Sequence, residues 1–189
     1  MKKLFGNRGF TLVELMVAFA ILGVVMLSVT FVISTSSNTY SKIAMDINLQ
    51  YESQLAMGQL QEYIIDCNAF VGAGSDGSLY VVDKKDSNYE IYKFAKKPDT
   101  DELYFYKTAV DDFDPAAPGF SSITFDSGQL MSSYVKAFSA TVAASSGSQN
   151  ASSVIITIKY GTGGESYNGC QTFALRNQVR NISSSVPLG

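Results

Sequence analysis

From Phe10 to Ile33 the chain reads FTLVELMVAFAILGVVMLSVTFVI, an apolar run in which Glu14 is the only charge. As a helix it would extend about 36 Å, and about 20 apolar residues suffice to cross a bilayer. The polar break Ser34-Thr35-Ser36-Ser37-Asn38 that follows contains no Pro or Gly, so helix can continue through it into Tyr40 to Ile65. There the apolar positions return with helical spacing, on two stripes. Tyr40, Ile43, Ala44, Ile47, Tyr51, Leu55 and Gly58 share one face, and Met45, Leu49, Ala56, Leu60 and Tyr63 lie roughly opposite. Two stripes imply two partners. The first is expected to pack on the chain's own sheet and the second, partly exposed, to meet neighbouring subunits.

From Ser78 onward the pattern changes to short runs of aromatic and β-branched residues separated by turn formers. Expected strands are Leu79 to Asp83, Tyr89 to Phe94, Leu103 to Lys107, Ser122 to Phe125, Val135 to Val142, Val154 to Tyr160 and Gln171 to Leu175. Their connections are too short for crossover helices, which predicts antiparallel pairing. Lys84 to Asn88 reads as the turn of a hairpin, while Gly72 to Gly77 and Lys97-Pro98-Asp99 are breakers. Ala143 to Ser153 is low in complexity and reads as a flexible surface loop. Gly161-Thr162-Gly163-Gly164 lacks the Lys-Ser/Thr of a phosphate loop and is read as a hairpin turn.

Glu14 carries the chemistry. With Thr11 three residues before it, it fits a capping box at a helix N-terminus. A carboxylate inside hydrocarbon nevertheless costs about 2.5 to 3.5 kcal/mol on insertion scales, and such residues usually have a function and a partner. A secretory signal would explain the basic leader Met1 to Arg8, but its apolar core is shorter than this run, and no small-residue cleavage site precedes Ser34. A plain anchor oriented by Lys2, Lys3 and Arg8 leaves Glu14 unexplained.

Gly9-Phe10-Thr11-Leu12-Val13-Glu14 and the apolar helix to about Ile33 resemble the processing site of type IV pilins and type II secretion pseudopilins. The resemblance implies a prepilin leader over residues 1–9, cut between Gly9 and Phe10 by a membrane prepilin peptidase, with methylation of the new Phe10 amine. It implies a transmembrane and filament-core half of the helix over residues 10–35, in which Glu14 pairs with the N-terminal amine of a neighbouring subunit. Opposite charges brought together in a low-dielectric core offset each other's desolvation, which supports that role physically. The remaining partners implied are other pilin subunits, the inner-membrane assembly platform and the membrane itself. Phe173-Ala174-Leu175-Arg176-Asn177 resembles the closing strand of minor pilins and pseudopilins of the W and J types, a shorter match.

Residues 36–189 are long enough for one globular domain, and 46% hydrophobic residues with 11 Tyr and 12 Phe can build its core. The fold class expected is α+β and pilin-like, a long N-terminal helix, transmembrane in its first half, packed on an antiparallel β-sheet. The net charge of −3 becomes −6 without the leader, which loses three cations and no acid, so generic nucleic-acid binding is not expected. The only cysteines, Cys67 and Cys170, would face the oxidising outside of the cell, where a bridge between them is expected; two buried free thiols are the alternative. The absence of His removes the commonest general base, and no catalytic set is recognisable, so an enzyme is not expected. No cofactor or metal is implied: Asp111, Asp112 and Asp114 match no EF-hand spacing and read as a solvated turn. Asn150-Ala151-Ser152 and Asn181-Ile182-Ser183 match the glycosylation triplet, which says little for a bacterial chain. These readings converge on a minor structural subunit of a type IV pilus or related pseudopilus, membrane-anchored before assembly and then part of an extracellular or envelope-spanning filament. The alternative is a membrane-anchored adhesin or ligand-binding module that never polymerises, for which neither Gly9 nor Glu14 is needed.

Overall fold

The computed structural model describes residues 10–144 and 150–180. The leader with Gly9, the middle of the Ser-rich loop and the Asn181-Ile182-Ser183 triplet lie outside the described residues. The chain divides into two compact units, Met1–Ala44 and Met45–Gly189. One helix, α1 (Leu12–Ile65), begins in the first and ends in the second, running unbroken through the polar stretch as its lack of Pro predicts. There Thr39 Oγ1 donates to the Thr35 carbonyl at 2.9 Å and Ser41 Oγ to that of Ser37 at 3.1 Å, so these hydroxyls are satisfied by the helix itself.

Among the described residues of the second unit eight strands follow: β1 (Phe70–Ala73), β2 (Leu79–Lys84), β3 (Tyr89–Lys96), β4 (Glu102–Val110), β5 (Gln129–Ser133), β6 (Val135–Ala144), β7 (Asn150–Thr162) and β8 (Glu165–Arg180). They form one sheet in the order β5-β4-β3-β2-β1-β8-β7-β6. Every pairing is antiparallel except β1 with β8, which meet in parallel through the single pair Phe70 and Arg180. The fold is therefore α+β, helix on a mostly antiparallel sheet. Only Tyr134 separates β5 from β6, although these are the two ends of the sheet. The sheet must curl until its edges meet there. Tyr134 turns the corner with φ of 63°, a conformation that costs a non-glycine residue energy. Val135 N–H donating to the Asp101 carbonyl at 2.9 Å, Gly161 N–H to that of Tyr134 at 2.9 Å and the Lys136–Asp101 ion pair hold the corner.

The stripe that packs on the sheet is not the one expected: the second is buried and the first is exposed. Leu49, Ser53, Ala56, Met57, Leu60 and Ile64 are buried, and join Val81, Phe94, Leu103, Ile156, Ile158 and Phe173 of the sheet in the main core. Ile47, Tyr51 and Leu55 are exposed, as are Tyr40 and Ile43 in the first unit. Small side chains decide the matter. A Cβ on Gly169 of β8 would lie 2.3 Å from Ser53 Oγ and 3.4 Å from Met57 Cε, so the Ser53–Ala56 face can approach this strand closely, whereas a face carrying Tyr51 could not.

A second core forms on the opposite face, where Phe70, Tyr80, Val82 and Ile91 are covered by Phe113 and Phe120 from the β4–β5 connection. Tyr80 and Phe120 stack with centroids 4.2 Å apart. That covering role corrects the strand expected at Ser122 to Phe125. After Pro115, Pro118 and Gly119 the chain makes a 3-10 turn, Phe120–Ser122, and its aromatic residues lie on the sheet instead of pairing with it. β5 and the short β1 were not expected, because neither Gln129–Ser133 nor Phe70–Ala73 alternates or is rich in β-branched residues. β6 and β7 also extend into the stretch read as loop, to Ala144 and from Asn150. The turns at Lys84–Asn88 and Gly163–Gly164 are as expected; Lys85 N–H reaches the Asn88 carbonyl at 2.9 Å, and both glycines have positive φ, 59° and 91°.

The expected Cys67–Cys170 bridge is not formed, and both cysteines are free thiols. Cys67 is buried beyond the helix end, with Sγ donating to the Phe70 carbonyl at 3.1 Å. Cys170 is exposed because β8 alternates: Gly169 and Phe173 face the helix, so Cys170 faces away, beside Thr157. Burial, and secondarily the Asp83 carboxylate, push the Cys67 thiol up to about 12.

Candidate processing and assembly site

Helix α1 starts immediately after Thr11, and the local sequence explains why. Thr11 N–H and Thr11 Oγ1–H both donate to Glu14 Oε2 at 2.9 Å, while Glu14 N–H donates to Thr11 Oγ1 at 3.2 Å. This reciprocal arrangement is a complete capping box, and Leu15 N–H adds the first helical bond to the Thr11 carbonyl at 3.2 Å. Glu14 therefore has a local structural role. It also has a spare one: Oε1 has no hydrogen bond among the described residues, and the side chain is exposed. A carboxylate with one oxygen anchored and one unengaged is oriented to accept from an external cation.

Phe10, 87% exposed, precedes the box, and Gly9 lies outside the described residues. From Leu12 to Ile33 the large apolar side chains are all exposed, on every side of the helix. The two hydroxyls of its second half are hidden by back-bonding, Ser28 Oγ to the Val24 carbonyl and Thr30 Oγ1 to that of Met26, each at 2.9 Å. Such a segment satisfies its own polar groups and presents only hydrocarbon, as a membrane span must. By length and composition α1 is able to cross a membrane.

Residues 4–30 match the prokaryotic N-terminal methylation motif. The match contains Gly9, Phe10, Thr11 and Glu14 and ends within the apolar segment, before the sheet-bearing unit begins. No curated protein matches the chain. The chain thus carries a prepilin-type signal, the kind of substrate that prepilin peptidase processes, ahead of a helix suited to membrane anchoring.

In the sheet-bearing unit, two ties that the sequence does not announce fix the helix. Asn177 Nδ2 donates to the carbonyls of Asp66 at 3.2 Å and Cys67 at 3.0 Å, just past the helix end, and Arg176 pairs with Asp66 at 2.6 Å. These two residues close the Phe173-to-Asn177 stretch, so that stretch was the available signal. Glu52 Oε2 accepts from Ser132 Oγ at 2.9 Å and Ser133 N–H at 3.3 Å, at the corner where the sheet edges meet. Ser132 Oγ also reaches Tyr160 Oη at 3.3 Å, and burial pushes that phenol up to about 12. Asp111, Asp112 and Asp114 are exposed; Asp114 Oδ1 accepts the Ala116 N–H at 2.8 Å, which forms an Asx turn.

Proposed function

We propose that the chain is a minor subunit of a type IV pilus or related pseudopilus, with no enzymatic role. In this reading it is cut between Gly9 and Phe10, methylated at Phe10 and inserted into a filament through α1. The observation that carries it is Glu14: the one charge in the apolar run Phe10 to Ile33, four residues after Phe10, with Oε2 engaged by Thr11 and Oε1 unengaged among the described residues. Cleavage exposes a new cation at Phe10. A neighbouring subunit's Phe10 amine is then the partner whose charge offsets the cost of Glu14 in hydrocarbon. The exposed Ile47, Tyr51 and Leu55 lie beyond the reach of lipid if Phe10 to Ile33 spans the bilayer, so neighbouring subunits are the cover that suits them. The chain's size and the resemblance of its Phe173-to-Asn177 ending to the larger minor pilins favour a minor subunit over the major one.

Intact-mass analysis of sheared filaments tests the processing step, which requires a chain that begins at methylated Phe10. An N-terminus at Met1, or a cut after Ile33, overturns the reading. Glu14→Leu is expected to insert into the membrane at least as well as wild type and to be lost from filaments; incorporation at the wild-type level would remove the pairing role.

A further inference from the structure

Strand β4 is paired unequally along its two sides. Residues Leu103 to Val110 pair with β3, but on the other side β5 covers only Glu102 to Phe105, ending at Gln129. Among the described residues, that outer edge from Tyr106 to Val110 meets no strand and no further hydrogen bond reaches its main chain. The preceding connection does not pair with it: it comes from the opposite face, where Phe120 stacks on Tyr80, and passes beside the edge at Asp126 and Ser127 without a ladder bond. Phe125 sits 6.3 Å from the Tyr106 ring, and Gly128 lies so close that a Cβ would be 2.4 Å from Tyr106 Cε1. Chain departure therefore leaves a cleft of about 390 Å³ beside the bare edge, bordered by Thr108, Ala109, Asp126 and Ser127.

At Phe105 and Gln129 this cleft adjoins another of about 220 Å³, lined by the half-buried Tyr63 and Phe105 over the fully buried Phe94, with the exposed Glu62 beside them. The Tyr63 centroid lies 5.6 Å from that of Phe94 and 5.1 Å from that of Phe105. Charges around the two clefts are not balanced. Lys107 is taken by Glu90 at 2.7 Å, whereas Glu62 and Asp126 have no ion pair among the described residues.

We propose that this edge and its clefts bind an extended peptide segment carrying a Lys or Arg side chain. The segment pairs with Tyr106 to Val110 as a ninth strand, and its cation enters the aromatic cleft towards Glu62. A bare strand edge supplies affinity through main-chain hydrogen bonds to a partner that is itself extended, and side-chain pockets beside it supply the choice of sequence. Ring faces together with an unpaired carboxylate select a cation over an apolar or acidic side chain. This inference concerns the sheet-bearing unit and does not depend on filament assembly.

The test uses the full isotope-labelled chain in detergent micelles, titrated with the acetylated and amidated peptide Thr-Val-Lys-Val-Thr while amide resonances are followed. Shifts are expected to be confined to residues 59–63, 105–110 and 126–130. Replacing the peptide lysine by norleucine, or Glu62→Gln in the protein, should each weaken binding about fivefold. Glu62 is exposed, so an unchanged circular dichroism spectrum is expected for that variant. A peptide N-methylated at alternate amides should not bind. Absence of localised shifts up to millimolar peptide, or equal binding by the N-methylated peptide, would overturn the strand-pairing site; equal binding by the norleucine peptide would overturn its preference for a cation.

Discussion

Ile47 and Leu49 stand two residues apart on one helix and are of nearly equal apolar size, yet Ile47 is 60% exposed and Leu49 is fully buried. The stripes they belong to are distinguished by what lies between their large residues. Leu49's stripe has Ser53 and Ala56, which let the helix settle onto Gly169; that of Ile47 has Tyr51, whose ring holds a neighbour off while its hydroxyl can stay in water. Hydrophobicity does not tell the two faces apart. Side-chain size decides which of them seats on the chain's own sheet.

The comparison breaks most sharply at Leu49. Leu49→Lys places an unpaired charge in the main core and is expected to cost about 4 kcal/mol or more, enough to unfold the sheet-bearing unit in a denaturant titration. A folded Leu49→Lys protein would mean that the two faces are interchangeable. Next in size is Gly169→Val, whose side chain meets Ser53: a loss of about 1 to 3 kcal/mol is expected, partly recovered when Ser53→Ala is added. If the two changes are simply additive in melting experiments, the close seat is not what selects this stripe.

A third measurement separates the two thiols. Unfolding exposes Cys67 to water, where its ordinary value of 9.0 applies, against about 12 in the fold. Below about pH 9 the proton is held in both states and the contribution to stability is complete. As pH rises towards 12 the unfolded chain ionises first, so stability should fall, and fall less in Cys67→Ala than in wild type. In the native protein at pH 8, Cys170 should be alkylated rapidly and Cys67 only after unfolding; equal rates would contradict the burial difference. Smallest of all for folding is Tyr51→Lys, expected within about 0.5 kcal/mol of wild type. Its effect should appear instead in the recovery of the variant from sheared filaments, which would drop if this stripe meets other subunits.

Sequence served the two units unequally. In the N-terminal stretch the chemistry is local: a run of apolar residues and a Thr11–Glu14 spacing act within the helix itself, so both were readable without a fold. The sheet was readable where strands alternate or are β-branched, as in β2, β3 and β7. It was not readable at β5, a plain Gln-Leu-Met-Ser-Ser run held by β4 and Glu52, nor at Phe120 and Phe125, whose aromatic pattern serves a second core that exists only once β1 to β3 are assembled. The cysteine pair failed for the same reason, since the phase of β8 relative to the helix is set by Gly169 and not by either cysteine.

Gly169 also imposes an order on events in time. The cradle for the helix includes the strand made last, so a chain growing from its N-terminus has Leu49, Leu60 and Ile64 ready long before Gly169 and Phe173 emerge to cover them. Until then the nascent domain holds an unclosed hydrophobic face and cannot complete its cooperative transition. Loss of β8 would accordingly not shorten the domain by one strand but remove Phe173, Val179 and the Gly169 seat and leave β7 and β6 unjoined to β1, and a chain truncated before residue 165 should be a protease substrate throughout its sheet-bearing unit.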